Sequence, residues 1–364
     1  MDVVPITQHR QLLLILLGIC AALLCASAGC MTTGEVPSEA EARTITDMVG
    51  RTVTVPSEIR TILCTSPPST NLVYMVAPDR LAGWSFAPED GYIPEKYVAL
   101  PVVGGWFGKE AGNYENFISM HPDIVIEGYT TDGGMAGATV AERQDKLGAI
   151  PVVAVEDTTN STSYSAPIRF MGELLGEEEQ AGAMIAFYEG VLATVTERVA
   201  EIPDDERVGV YYAEGPKGLS TDPVGSQHSE LIDLCGGRNI ADCALTPGMG
   251  MTEVSMEQII AWDPEVILAG EPEFYATVRT DPLWQDIGAV KTDRVYLIPR
   301  TAFCWFDRPP GINRIIGIPW TAKVLYPDLF SDIDLIELVR EYHEIFIHTS
   351  LTDDQIRDIL SPEI

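Results

Sequence analysis

Apolar positions along this chain fall into two kinds of stretch. Short, largely apolar runs at 61–64, 124–126, 152–155, 208–212 and 295–298 carry no alternation, as expected for strands buried on both faces. Segments with apolar residues three or four apart lie between them and predict helices. Regular alternation of the two implies parallel sheets covered on both sides, an α/β fold.

The longest helical pattern covers residues 177–202, with Ala181, Ile185, Tyr188, Leu192, Val195, Val199 and Ile202 on one stripe. Glu177, Glu178 and Glu179 suit the positive end of the helix dipole, and Pro203 stops the pattern. Such a helix spans about 39 Å, enough to cross two lobes. As a single rigid link it predicts little hinge motion; an ordinary long core helix is the competing reading.

The chain also repeats itself. Glu115-Asn-Phe-Ile-Ser-Met-His-Pro-Asp-Ile-Val-Ile-Glu-Gly128 aligns without gaps with Glu257-Gln-Ile-Ile-Ala-Trp-Asp-Pro-Glu-Val-Ile-Leu-Ala-Gly270. Lys146-Leu-Gly-Ala-Ile150 matches Asp286-Ile-Gly-Ala-Val290 at nearly the same offset, and each leads into a strand. Each half opens alike, with an apolar strand, a Gly/Pro/Ser-rich loop and a helix. The expected fold is two doubly wound α/β lobes joined by a single long α-helix, with a ligand cleft between them.

Residues 12–29 carry no charge, follow His9 and Arg10, and end in Ala26-Ser27-Ala28-Gly29 before Cys30. This reads as an export signal. The small residues resemble a lipoprotein processing site that leaves Cys30 to carry a lipid; Ser27 departs from that pattern, and an uncleaved anchor is the other reading. Residues 31–42 are polar and acidic, a tether. The expected division is 1–30 signal, 31–44 tether, 45–176 N-terminal lobe, 177–202 interlobe helix, and 203–364 C-terminal lobe with closing helices. The chain then sits outside the cytoplasmic membrane, tethered to its outer face.

Composition narrows the function. The 364 residues are 46% hydrophobic, enough for two real cores. With 54 acidic against 23 basic residues the formal net charge is −31, which excludes nucleic-acid binding and opposes contact with an anionic membrane surface. Seven Cys are too few and too scattered for a disulfide scaffold, and no Cys/His spacing suggests a zinc site; a short loop closed by Cys235 and Cys243 stays open. No GxSxG, Walker, GxGxxG or HExxH motif occurs, so no enzyme and no cofactor are expected. His343 and His348 do not share a helix face and make a poor metal pair.

Asp47-Met-Val-Gly-Arg-Thr-Val-Thr-Val-Pro56, residues 61–83, His121-Pro-Asp-Ile-Val-Ile126, residues 225–240, and the tail through Asp307-Arg-Pro-Pro310 to Pro327-Asp-Leu-Phe330 together resemble the solute-binding proteins of ABC importers for ferric siderophores, haem and cobalamin. The resemblance covers about residues 45–360. It implies a monomeric lipoprotein that binds an iron(III) complex or similar metal chelate and delivers it to permease subunits and their ATPase. Cobalamin or haem is the alternative ligand, and a tethered sensor or scaffold without transport is the alternative role. That family docks through one acidic residue per lobe. The matching positions here are Glu230 and, in the N-terminal lobe, Asn71, an amide that cannot supply the charge; Glu89 or Asp90 stands nearby.

Ligand residues are expected in loops beyond the carboxyl ends of the strands. These are Ser66, Ser69, Trp106, Phe107 and Tyr129 from the first lobe, and Tyr212, His228, Trp305, Phe306 and Arg308 from the second. Rings would cover the faces of a broad chelate and Arg308 would neutralise a carboxylate or catecholate. A chelated metal needs no protein ligands, so no metal site is expected, although His228 offers an axial ligand to an open haem or corrinoid metal. Plainer roles stand beside these: Trp106 and Trp305 as caps on the lobe cores, Arg308 as a partner of Asp307, His228 as a surface histidine.

Overall fold

The computed structural model describes residues 42–88, 91–108, 110–129, 136–246 and 250–360. Cys30, the apolar segment 12–29, Glu89 and Asp90 lie outside them. The described chain opens with an antiparallel hairpin of β1 (Ala42–Thr46) and β2 (Thr52–Pro56). Its turn is held by the Asp47 carboxylate, which accepts from the Arg51 backbone N–H at 2.8 Å and from the Arg51 guanidinium at 2.7 and 2.9 Å.

The N-terminal lobe is built on β3 (Ile62–Cys64), β4 (Ile124–Tyr129) and β5 (Val152–Glu156), parallel and in the order β3-β4-β5. The C-terminal lobe uses β6 (Gly209–Ala213), β8 (Arg238–Asn239), β10 (Val266–Ala269) and β11 (Val295–Leu297), parallel in the order β11-β10-β6-β8. A two-residue pair, β7 (Ser220–Thr221) with β9 (Thr252–Glu253), stands apart. Nearly every residue of the parallel strands is buried, which is why they read as unbroken apolar runs.

The sequence repeat is a structural repeat. Helix Tyr114–Ser119 leads into β4, and helix Met256–Trp262 into β10. The Pro-acid turn in each follows a left-handed residue, His121 at φ 49° and Asp263 at φ 45°. Each strand lies at the centre of its sheet.

The helix joining the lobes runs over Glu178–Val199 and buries Ala181, Met184, Phe187, Tyr188, Val191, Val195 and Val199. It is not a lone rod. Helix Gly317–Leu325 packs on it, helix Leu335–Tyr342 brings Tyr342 against Phe187, and the turn His343–Ile347 after it returns onto helix Pro67–Val76, while Asp353–Leu360 packs on Leu335–Tyr342. Tyr74 donates to the carbonyl of Ile347 at 2.8 Å, and the Gln180 amide bridges the carbonyls of Met75 and Ile345 at 2.9 and 2.7 Å. The largest apolar cluster therefore runs from the inner helices of one lobe to those of the other, while each sheet keeps a smaller cluster on its outer face. This continuity stiffens the link beyond what the helix alone provides. Cys64, Cys235, Cys243 and Cys304 are free thiols, so Cys235 and Cys243 close no loop; the Cys235 thiol contacts the Ile318 carbonyl at 3.3 Å.

One core residue is out of keeping with its surroundings. His343, at the start of a π-helical turn His343–Ile347, is fully buried, and neither ring nitrogen has a hydrogen-bond partner among the described residues. Burial pushes its pKa down to about 4. Because the unfolded chain takes up a proton near pH 6.5 and the folded chain does not, stability is lost as the pH falls from 6.5 towards 4, up to about 3 kcal/mol. His343→Phe removes both the orphan donor and this linkage. It should raise the melting temperature at pH 7 and flatten the acid limb between pH 6.5 and 4.5 in thermal melts; an unchanged acid limb would assign that loss to other groups.

Candidate functional site

Three strand ends of the N-terminal lobe open onto one cavity. Beyond β3 come Thr65 and Ser66, and then helix Pro67–Val76, whose first turn holds Pro67 and Pro68 where a missing N–H costs nothing. Ser66 caps this helix by backbone only. Its hydroxyl turns to the Ser69 hydroxyl at 2.9 Å and the Asp157 carboxylate at 3.4 Å. Near the end of β4, Gly128 stands where an added Cβ would lie 2.0 Å from Asp157 Oδ1 and 2.8 Å from Ser66 Oγ, so only glycine leaves room for the pair. Asp157 follows β5 directly.

Trp106 completes this wall. Its backbone N–H donates to the Thr65 carbonyl at 2.7 Å, and a Cβ on the preceding Gly105 would meet that carbonyl oxygen at 2.3 Å. The indole is gripped from behind. The Arg143 guanidinium sits 4.2 Å from the ring centroid, with Tyr114 and Phe117 at 4.5 and 5.2 Å. Arg143 is fixed in turn by Glu127 at 3.3 Å and the Tyr114 hydroxyl at 2.5 Å.

The C-terminal lobe contributes Gln227 and His228 from a short turn before helix Glu230–Leu234, and Arg308, Pro309 and Pro310 from the long loop after β11. Together the two lobes enclose about 470 Å³, within the usual range of small-molecule sites. Phe86, Phe107, Trp106 and four prolines make the walls largely apolar.

The arginine and the carboxylates it pairs with lie on the C-terminal side. Arg308, held at φ 56°, donates to Glu214 at 2.5 and 2.9 Å and to Asp222 at 2.8 Å, and stands 3.3 Å from Asp307. The carboxylates raise its pKa further against the effect of burial. Burial raises Asp307 too, but the His228 hydrogen bond and both arginines outweigh it and hold its carboxyl below the usual range. His228 Nδ1 lies 2.8 Å from Asp307 Oδ1; since that carboxylate only accepts, the proton sits on Nδ1. Nε2, on the far side of the ring, hydrogen-bonds nothing among the described residues. Burial, with Asp222 and Asp307 close by, pushes Glu214 up to about 9 against the pull of Arg308. Burial and the nearby Glu127 push Asp157 up to about 7. Donor atoms of Asp222, His228 and Asp307 come within 4.8 Å of one another, but both carboxylates already serve the arginines.

Of the residues expected to line the cleft, Ser66, Trp106, Phe107, His228 and Arg308 do. Ser69 stands one layer behind, buried against Ser66. Four others do not line it. Trp305 is fully buried, its indole N–H donating to the Thr301 carbonyl at 2.6 Å, and Phe306 packs at 4.9 Å on Tyr212, also buried. Those rings fill the lobe core because the loop carrying them folds inward. Tyr129 donates to the Met48 carbonyl at 3.0 Å, which turns it to the hairpin. Asn71 is fully buried in helix Pro67–Val76 and offers nothing to a docking partner. Glu230 does not project freely either: its carboxylate accepts from the Ser161 backbone and hydroxyl at 2.9 and 2.7 Å, a bond from one lobe to the other. Asp157, Phe86, Thr159 and Gln227 line the cavity without having been singled out. The rule that selected Ser66, a polar residue just past a strand, applies equally to Asp157.

The sequence profile of periplasmic binding proteins matches residues 65–302, most of the described chain. This chain belongs to the periplasmic binding protein family. It is similar to the molybdate-binding protein MolA of Haemophilus influenzae, 24% identical over 337 residues that cover 86% of this chain and 93% of that protein. It is also similar to the uncharacterized ABC transporter substrate-binding lipoprotein YvrC of Bacillus subtilis, 26% identical over 86% of this chain and 98% of that protein. Among solved structures, the ABC transporter solute binding protein from Sulfurospirillum deleyianum superposes with a TM-score of 0.81 at 31% identity, covering 88% of this chain and 99% of that one. The chain is thus an ABC transporter substrate-binding protein of the extracytoplasmic class, and its cavity lies where the two lobes meet.

The raised pKa of Asp157 has a thermodynamic sign. Folding favours its protonated form, so this group's contribution is complete below about pH 4 and is lost as the pH rises towards 7. Asp157→Asn should therefore stabilise the ligand-free protein at pH 8 by on the order of 2 kcal/mol, allowing for its partial contact with solvent, and leave it unchanged near pH 4. Urea melts at the two pH values test this; equal effects at both would show that Asp157 ionises normally.

Proposed function

We propose that this protein captures a metal chelate, an iron(III) complex first among them, and delivers it to a membrane permease while a lipid on Cys30 holds it at the outer face of the membrane. The observation that carries the ligand class is the cavity itself. Its walls of Trp106, Phe107, Phe86 and prolines suit the broad, partly apolar surface of a wrapped metal. Ser66, Asp157, Gln227 and His228 supply polar contacts at its edges, with Ser69 behind Ser66.

A bare tetrahedral oxyanion such as the one bound by MolA fits this cavity less well. It is small, and it needs cationic or N–H donors directed at it, whereas the guanidinium of Arg308 is turned onto three carboxylates. A corrinoid or haem is the second reading, favoured by His228: with Nδ1 held by Asp307, Nε2 is oriented as an axial ligand would be.

Titration of the purified protein with ferric chelates, cobalamin, haemin and molybdate, followed by tryptophan fluorescence and absorption, tests this reading. A metal chelate should bind one to one and be recovered unchanged. Trp106→Ala should weaken binding by about 1–3 kcal/mol, about fivefold or more in Kd. Exclusive binding of a sugar, peptide, amino acid or molybdate would overturn the assignment. The anchor has its own measurement: protein extracted from membranes should carry lipid mass on Cys30, and Cys30→Ser should release it to the soluble fraction.

A further inference from the structure

We infer that the cavity selects a metal complex of net positive charge and discriminates against anionic chelates and oxyanions. The inference rests on the metal-chelate reading for its ligand class, but its argument is the charge on the walls. Among the described residues, the ionisable groups lining the cavity are Asp157, His228 and Arg308. Behind Arg308 stand Glu214, Asp222 and Asp307, all within 3.3 Å of its guanidinium. Arg314 is likewise committed, to Glu230, Asp307 and three backbone carbonyls. Two arginines thus face four carboxylates, and Asp157 adds a fifth on the opposite wall. Even with Glu214 protonated, the site presents no surplus of positive charge to an anion.

One further observation points the same way. His228, only 8% exposed, lines the cavity with its Nδ1–H held by Asp307, and its Nε2 has no hydrogen-bond partner among the described residues. That nitrogen is an electron-pair donor, and it favours a cation or a donor group on the guest. At long range the formal charge of −31 attracts cationic guests and repels anionic ones.

A series with one iron shell and three charges provides the test. A linear ferric trishydroxamate with a pendant ammonium carries one positive charge; its N-acetyl derivative is neutral and its N-succinyl derivative is anionic. At low ionic strength the affinities should fall in that order by about tenfold per unit of charge, and the spacing should shrink in molar salt. Equal affinities, or tighter binding of the succinyl derivative, would overturn the inference. Asp222→Asn should narrow the spacing. Thermal shifts with hexaamminecobalt(III) and with molybdate form a second arm that needs no chelator and no variant. Stabilisation by the cobalt cation without any hydroxamate binding would support the charge selection and count against the ferric hydroxamate ligand; stabilisation by molybdate alone, or by neither ion with no hydroxamate bound, would overturn the charge selection.

Discussion

A guanidinium removed from water must direct all five of its N–H donors at protein, and Arg314 directs four within the C-terminal lobe and one, to the Thr159 carbonyl, across the seam between the lobes. Its Nε donates to the Phe306 carbonyl at 2.7 Å, its terminal nitrogens to the carbonyls of Gln227 and Thr159 at 2.8 and 3.3 Å, with Asp307 and Glu230 at 3.4 and 3.5 Å. A relative displacement of the lobes would take the Thr159 carbonyl from this buried charge and leave one of its donors without an acceptor. The same seam carries the bond from the Ile312 N–H to the Thr158 hydroxyl and that from the Tyr164 hydroxyl to the Gly311 carbonyl. The width of the cavity, and the approach of His228 and Arg308 to Asp157 and Trp106, follow from this arrangement.

Much of the architecture was legible because parallel strands buried on both faces leave an unmistakable mark. The runs around β3 to β6, the long interlobe helix and the repeat between β4 and β10 all depend on that periodicity. The return of the C-terminal helices onto the N-terminal lobe was not legible. Helix Leu335–Tyr342 announces an apolar face, but no local pattern says that its partner is Phe187 or that the turn His343–Ile347 after it lands on helix Pro67–Val76.

The site divides along the same line. Ser66, Trp106, His228 and Arg308 were found because they sit in loops beyond strands, a position that topology dictates. Trp305 and Phe306 lie in the same kind of loop, but theirs turns inward, and an aromatic side chain in a loop reads alike whether it faces a ligand or a core. Asp157 was overlooked because a single acidic residue carries little signal in a chain with 54 of them. Its setting, against Ser66 and beneath Gly128, exists only in three dimensions.

The seam also bears on how cargo leaves. A receptacle whose halves are stitched together at the back exchanges its guest through a mouth that hardly moves. On the proposed role, unloading is then mechanical work for the membrane partner, which must part the bonds from Thr158, Thr159, Ser161 and Tyr164 to the C-terminal lobe. The same bonds oppose spontaneous gaping of the walls before that partner is met.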